Sequence, residues 1–284
     1  MDNNPAFPGF GLWLTQEVIR EAAERQPAVD WFEIISENFL PHNGGDLDAL
    51  LQVRAHYPIA MHGVSLAIGC PAPLDEAYLQ RLKQLAARLE PLWISDHLCS
   101  TADEEAPLHP LPRSEAMIRH VSGRIEKVQA VLGRQMLFEL TPATEADDGG
   151  NDAIPEWQFA IEIAERSDSL ILLDLNNLHT SCLLQGLDPL TVLDAMPADR
   201  VREIHIAFVP PAEEYCLAEE IPLLHARDPI LDLYADALRR FGPVATLVER
   251  ADAIPPLEEG VIDANQIRSF ARSVLARILH ESPR

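Results

Sequence analysis

Basic residues are scarce in this chain: 22 Lys and Arg stand against 45 Asp and Glu over 284 residues, for a formal charge of −23. The acids are spread along the chain rather than held in one tail. Polyanion binding depends on Lys and Arg neutralising phosphates, so nucleic acid is not expected as a partner. Excess acid of this kind otherwise keeps a surface solvated. Cysteine is rare as well. Cys70, Cys99, Cys182 and Cys216 are widely spaced with no C-x-x-C pair, which argues against a disulfide framework or a thiolate zinc site and leaves free thiols as the expectation. Long apolar runs are missing: none approaches the ~18 residues needed to cross a bilayer. The start, MDNNPAFPGFG, lacks the basic residues and apolar run of a signal peptide. A cytoplasmic protein without membrane contact is expected. What is present is hydrophobic content of 47%, ample for a large core.

The most informative stretch is Leu170–Asn177, LILLDLNN, in which four aliphatics run into an acid, a leucine and two asparagines. Parallel strands buried on both faces read as near-continuous apolar runs, so Asp174 must lie in an unusually polar spot. A lone buried carboxylate costs several kcal/mol unless a cation or metal partners it. The anomaly recurs. IAMHGVS carries His62, LWISDHL carries Asp96 and His97, MLFELTP carries Glu139, VREIHIAFV carries His205 and VATLVER carries Glu249. Any one of these reads as a satisfied core histidine or an ion pair. Six together, each near the carboxyl end of an apolar run and all of metal-ligand type, point to a metal site.

Strand patterns alternate with amphipathic helical ones, which implies βα units and a parallel sheet. Strands are predicted at 9–13, 31–36, 59–65, 92–98, 136–141, 170–176, 202–208 and 244–249. Helices are predicted near 15–25, 45–56, 74–89, 114–132, 155–166, 188–196, 228–241 and 261–280. Ser114 marks one helix start, and Pro155 and Pro189 sit where a first turn tolerates proline. Eight such units in a single domain, 1–284, make an α/β (β/α)8 TIM barrel the economical fold. Residues 99–113 and 209–227, rich in Pro and Glu, follow strands four and seven and read either as active-site loops or as surface insertions.

In such a barrel, functional side chains come from the carboxyl ends of several strands, so His62, His97, Glu139, Asp174, His205 and Glu249 converge on one basin. Strand alternation would put Asn176 on the face of Asp174, with Asn177 just beyond at the rim. Three histidines and three carboxylates suit iron, manganese or zinc, and six ligands exceed the needs of one ion with open positions. A bridged pair of ions fits better, with Glu139 as the natural bridge. Asp96 reads either as the orienter of a ligand ring or as half of a salt bridge. Glu37 and Asn38, at the end of strand two, read either as substrate contacts or as a turn or cap. Cys99, close behind His97, reads as a packed thiol.

Glu37-Asn38, His62-Gly63-Val64-Ser65-Leu66 with Ile68-Gly69, Ser95-Asp96-His97-Leu98, Glu139, Leu173-Asp174-Leu175-Asn176-Asn177, Glu203-Ile204-His205 and Val248-Glu249 occur in a family-specific order. From Gly9 to Glu249 the chain resembles the multinuclear non-haem iron-dependent oxidative enzymes (MNIO), the group that includes MbnB and TglH. The resemblance implies a xylose-isomerase-like barrel holding two or three irons, which uses O2 to remodel cysteines of a ribosomally made precursor peptide. Many members work with a small partner protein that binds the peptide leader. By position, His62, His97 and Glu139 resemble the ligands of one iron, and Glu139, Asp174, His205 and Glu249 those of the second and the catalytic set. Substrate would then meet Glu37, Asn38 and Asn176.

A third iron in the wider group draws on the position of Asn177 and on an Asp-x-His after strand seven. Here that stretch reads Leu223-Leu224-His225, and Val209 stands where a second histidine is often found. The expectation is therefore a dinuclear centre, with His225 left for substrate binding or proton transfer. One of Glu213, Glu214, Glu219 or Glu220 replacing the missing acid is the alternative. A xylose-isomerase-like sugar isomerase, a metal-dependent phosphodiesterase and a non-catalytic metal-binding scaffold are the competing functions.

Overall fold

A computed structural model of the chain describes residues 7–41, 43–100, 111–141, 154–208, 229–250 and 255–281. Eight parallel strands close into a barrel in sequence order: β1 (Phe10–Trp13), β2 (Trp31–Ile35), β3 (Ile59–Gly63), β4 (Ile94–His97), β5 (Leu137–Glu139), β6 (Leu170–Asp174), β7 (Val201–Phe208) and β8 (Ala245–Arg250). Between and after them run α1 (Ile19–Arg25), α2 (Leu47–Arg54), α3 (Glu76–Leu89), α4 (Glu115–Leu132), α5 (Glu156–Ser167), α6 (Leu175–Gln185), α7 (Pro189–Ala195), α8 (Pro229–Phe241) and α9 (Leu257–Glu281).

The helices form where capping and apolar spacing agree. Asp75 caps α3 by accepting from the N–H groups of Ala77 and Tyr78, and Tyr78, Leu79, Leu82, Leu85 and Leu89 bury one face against the barrel. Each such leucine contributes about 1.5–3 kcal/mol. Ser114 caps α4 through Met117 N–H, and Gly133, at φ 73°, ends it. Pro189 occupies the first turn of α7, whereas Pro155 sits at the cap of α5, one position earlier than predicted. The last helix starts at Leu257, not near 261.

The largest departure from the sequence reading is at β6. The strand ends at Asp174 and α6 begins at the next residue, with Asp174 Oδ1 accepting from Asn177 N–H at 2.8 Å. Asn176 and Asn177 therefore lie on a helix, and strand alternation from Asp174 does not govern them.

Side chains two apart on a strand share a face. Trp31, Ala60, Trp93, Leu137, Leu172, Ala245 and Leu247 pack together inside the barrel, while Phe32, Ile59, Phe138, Leu173 and Ile204 face the helices in the main core. Two residues further toward the carboxyl end, the inner face changes character: Ala60 leads to His62, Leu137 to Glu139, Leu172 to Asp174 and Leu247 to Glu249. Trp93 leads through Ser95 to His97. The apolar plug depends on Gly11, because a Cβ there would fall 2.5 Å from the indole of Trp31. Trp31 and Trp93 meet edge to face at 5.3 Å.

Candidate metal centre

The two carboxyl-end residues of β4 and β5, His97 and Glu139, are direct neighbours in the barrel ladder, as are Asp174 and His205 on β6 and β7. Register thus brings the ligand types together before any side chain chooses a rotamer.

His62 and His97 form one half. Their rings meet at 4.6 Å, and both point Nε2 at Glu139 Oε2, at 3.6 and 3.3 Å. Two donors each about 2.1 Å from one ion at a near-tetrahedral angle stand roughly 3.4 Å apart, so the spacing suits a shared ion. The other ring nitrogens are already engaged: His62 Nδ1 with Ser95 Oγ at 2.8 Å and His97 Nδ1 with the Gly63 carbonyl at 3.3 Å. Burial keeps both rings neutral, with His62 well below the usual histidine range and His97 down to about 4. A neutral imidazole whose Nδ1–H is occupied presents a lone pair at Nε2, the form a metal needs.

Glu139, Asp174 and His205 form the second half, with Glu249 Oε1 3.6 Å from His205 Nδ1. Burial raises Glu139 and Asp174, and it lifts Glu249 to about 7. Burial alone would lower His205; the facing carboxylates of Glu33, Glu203 and Glu249 outweigh it and raise it well above its usual value. Burial makes the charged forms of these acids costly, and a divalent ion is a partner that would relieve that cost.

Glu139 belongs to both halves, at the mouth of a parallel barrel. The model of a family described as RiPP precursor modification enzyme MbnB/TglH/ChrH matches residues 9–272. The chain belongs to this family. Among relatives of this MbnB/TglH/ChrH member, a UPF0276 protein of Anaeromyxobacter sp. (strain Fw109-5) is 41% identical over 276 residues, 95% of each chain. One from Caulobacter vibrioides is 38% identical over 270 residues, 93% of this chain and 94% of its own. Among solved structures, D-psicose 3-epimerase with D-fructose superposes with a TM-score of 0.61 at 13% identity, over 94% of this chain and 99% of its own. A xylose isomerase domain protein from Alicyclobacillus acidocaldarius gives 0.56 at 16% identity, over 95% and 99%. At such identities these two speak for the fold alone, a xylose-isomerase-like TIM barrel.

Asn176 clamps main chain: its amide donates to the Ala207 carbonyl at 2.6 Å and accepts from Ala207 N–H at 2.9 Å, tying α6 to β7. Asn177 reaches the centre, donating to Glu139 Oε1 at 3.0 Å. Glu37 lies in a short 3-10 turn, Ser36–Phe39, and its Oε1 accepts from Val64 N–H, Ser65 N–H and the Tyr78 hydroxyl. That carboxylate organises the segment after β3, and Asn38 beside it is half-buried. Asp96 orients no ligand ring and pairs with no base among the described residues; it accepts from Leu66 N–H at 3.3 Å and faces Glu37, and burial holds its pKa well up. Cys99 is buried. His225, Val209 and all of 209–227, together with 101–110, fall outside the described residues.

The sequence reading assigned no role to Ser95, Glu33 and Glu203. Glu33 and Glu203 are fully buried on inward positions of β2 and β7 and gather round His205, with their oxygens 3.4 and 3.5 Å from its Nε2. Both interrupt apolar strands, the signal that revealed Asp174, but they sit mid-strand rather than at the carboxyl end.

Proposed function

We propose that this protein is an iron- and O2-dependent oxidative enzyme that modifies cysteine residues of a ribosomally synthesised precursor peptide at a dinuclear centre. The observation that carries the reading is Glu139, whose carboxylate completes a two-histidine set on one side and an Asp174–His205 set on the other. His62, His97 and Glu139 would hold one ion; Glu139, Asp174, His205 and Glu249 the second. The donor set is nitrogen and oxygen without thiolate, which suits iron and leaves room for a substrate sulfur as an added ligand. Iron bound there supplies one-electron chemistry and a place where a cysteine thiolate and O2 can meet in fixed orientation.

The protein's own contribution is preorganisation. Ser95 and the Gly63 carbonyl fix two rings, Asn177 steadies the bridging carboxylate, and the Trp31–Trp93 layer closes the barrel floor against water. A groove lies beside Glu249 and Arg250, lined by Leu12, Trp13, Val248, Pro255, Pro256 and Leu257. Its largely apolar walls suit side chains flanking the modified cysteine. As in the resembling enzymes, a small leader-binding protein is the proposed partner, and a single barrel domain in the cytoplasm is the proposed setting.

The test is anaerobic purification, iron analysis, and incubation with O2 and any short cysteine-bearing peptide found encoded beside this gene. Two irons per chain and an oxygen-dependent mass change at a cysteine are expected. Manganese, magnesium or zinc in place of iron, with no mass change, would overturn the reading.

A further inference from the structure

The three centre histidines are not held alike. His62 and His97 turn Nε2 toward Glu139 and tie Nδ1 to a hydroxyl or a carbonyl. His205 is reversed. Its Nδ1 faces Glu249, while Nε2 is sealed from solvent between Glu33 and Glu203, at 3.4 and 3.5 Å. Neither carboxylate has any exposed surface, and among the described residues none of their four oxygens completes a hydrogen bond. Five polar atoms with no partner in one buried spot are costly unless a proton or an ion joins them.

We propose that Glu33 and Glu203 are positioning residues that take the Nε2–H of His205 from two sides and so commit Nδ1, not Nε2, to the second ion, an assignment that rests on the two-ion reading above. A neutral imidazole bound to a metal through Nδ1 must carry its proton on Nε2. That proton points into the gap between the two carboxylates, where a slight tilt of the ring brings it onto either. Glu203 shares the inward face of β7 with His205, two residues away, and Glu33 approaches from β2 across the barrel. Acceptors on both sides leave the ring no equivalent flipped state. A flip would put Cε1–H in place of Nε2–H between the two carboxylates and carry Nδ1 away from Glu249. Ligating histidines commonly give their second N–H to a carboxylate, and loss of that acceptor typically weakens metal binding 10–100-fold.

The experiment uses the full chain, stripped of metal and titrated with Mn(II), together with the imidazole nitrogen signals of the Zn(II)-loaded protein. The unaltered chain is expected to bind two ions, with His205 metal-bound at Nδ1 and protonated at Nε2. Glu203→Leu and Glu33→Leu should each weaken one ion 10–100-fold and leave the His62–His97 ion in place; Glu203→Gln, which keeps an acceptor oxygen, should recover most of the loss. Two ions at unaltered affinity in both leucine variants would overturn the proposal. So would metal on Nε2 of His205 in the unaltered chain, a result that needs no variant to fold. An ion found between Glu33, Glu203 and Nε2 would also overturn it, by making the pair ligands. Failure of the unaltered chain to bind two ions would instead strike the two-ion reading, and the anchoring with it.

Discussion

Ser95 Oγ lies 2.8 Å from His62 Nδ1 and thereby decides which nitrogen of that ring is left for an ion. The hydroxyl also leans toward the Met61 carbonyl at 3.5 Å, so it donates there and accepts from the imidazole. Ser95→Ala removes no ligand but frees the ring. We expect one ion to weaken 10–100-fold, in Mn(II) titration, with the second unaffected. Equal affinities before and after the substitution would show that packing alone fixes His62.

Glu139→Ala should empty both halves, because it removes the ligand they share and neither ion then keeps its complete set. His205→Ala removes a ligand from one half only and should leave the His62–His97 ion bound. Metal analysis of the purified variants separates the two outcomes. Two ions retained without Glu139 would refute the bridge.

The ion-free protein should lose stability as pH rises above neutrality. Glu33, at about 8, and Glu249, at about 7, keep protons in the folded state that the unfolded chain releases near 4.5. Raised His205 acts in the same direction above 6.5. The folded state then binds more protons than the unfolded one, so stability falls with pH, by on the order of 1 kcal/mol per pH unit for each such carboxyl. His62 and His97 oppose this only between about 4 and 6.5, where the unfolded chain takes up protons that they refuse. Raised Glu139, Asp174 and Asp96 add to the decline, which is clearest between about 6.5 and 8, where the two histidines no longer oppose it. Thermal melts in chelator should show it, and a divalent ion, which favours ionised carboxylates, should abolish it.

Asn176→Ala tests an anchor against a substrate contact. The substitution strips the Ala207 main chain of a donor and an acceptor. A cost of about 1–3 kcal/mol is expected in denaturant melts, with ion affinity kept. Undiminished stability combined with a raised KM for peptide would return Asn176 to the substrate.

Much of this was legible in the sequence because two periodicities coincide. Apolar runs marked the strands, and a polar intruder at each carboxyl end marked the inner face, since alternation carries Ala60 to His62 and Leu137 to Glu139. The β6–α6 junction escaped for a local reason. Between Leu173 and Leu178 there is no Gly or Pro to punctuate the change, and the residue that starts the helix, Asp174, also ends the strand. Glu33 and Glu203 escaped because a mid-strand acid in a barrel looks like an ordinary buried ion pair until its neighbours across the barrel are known. Parity held the clue for Glu203, which lies two residues before His205.

The last prediction concerns the number of ions. In the resembling enzymes a third iron uses the position of Asn177, but here that side chain is already committed. Its amide donates to Glu139 Oε1 at 3.0 Å, and its main-chain N–H is held by Asp174 Oδ1 at 2.8 Å. A donor N–H on Glu139 turns the amide toward the proposed two-ion centre, and turning it outward would cost that hydrogen bond. A neutral amide is in any case a weak ligand. Leu223 stands where a carboxylate would complete the set with His225. One imidazole and one amide hold a divalent ion poorly against water. Two ions per chain are therefore expected in anomalous diffraction at the iron edge. Asn177→Asp, which replaces the amide donor with a second anion beside Glu139, should raise the affinity for a further ion if the missing charge is what excludes it. Three full peaks in the unaltered protein, with one beside His225, would show the expectation of two ions to be wrong.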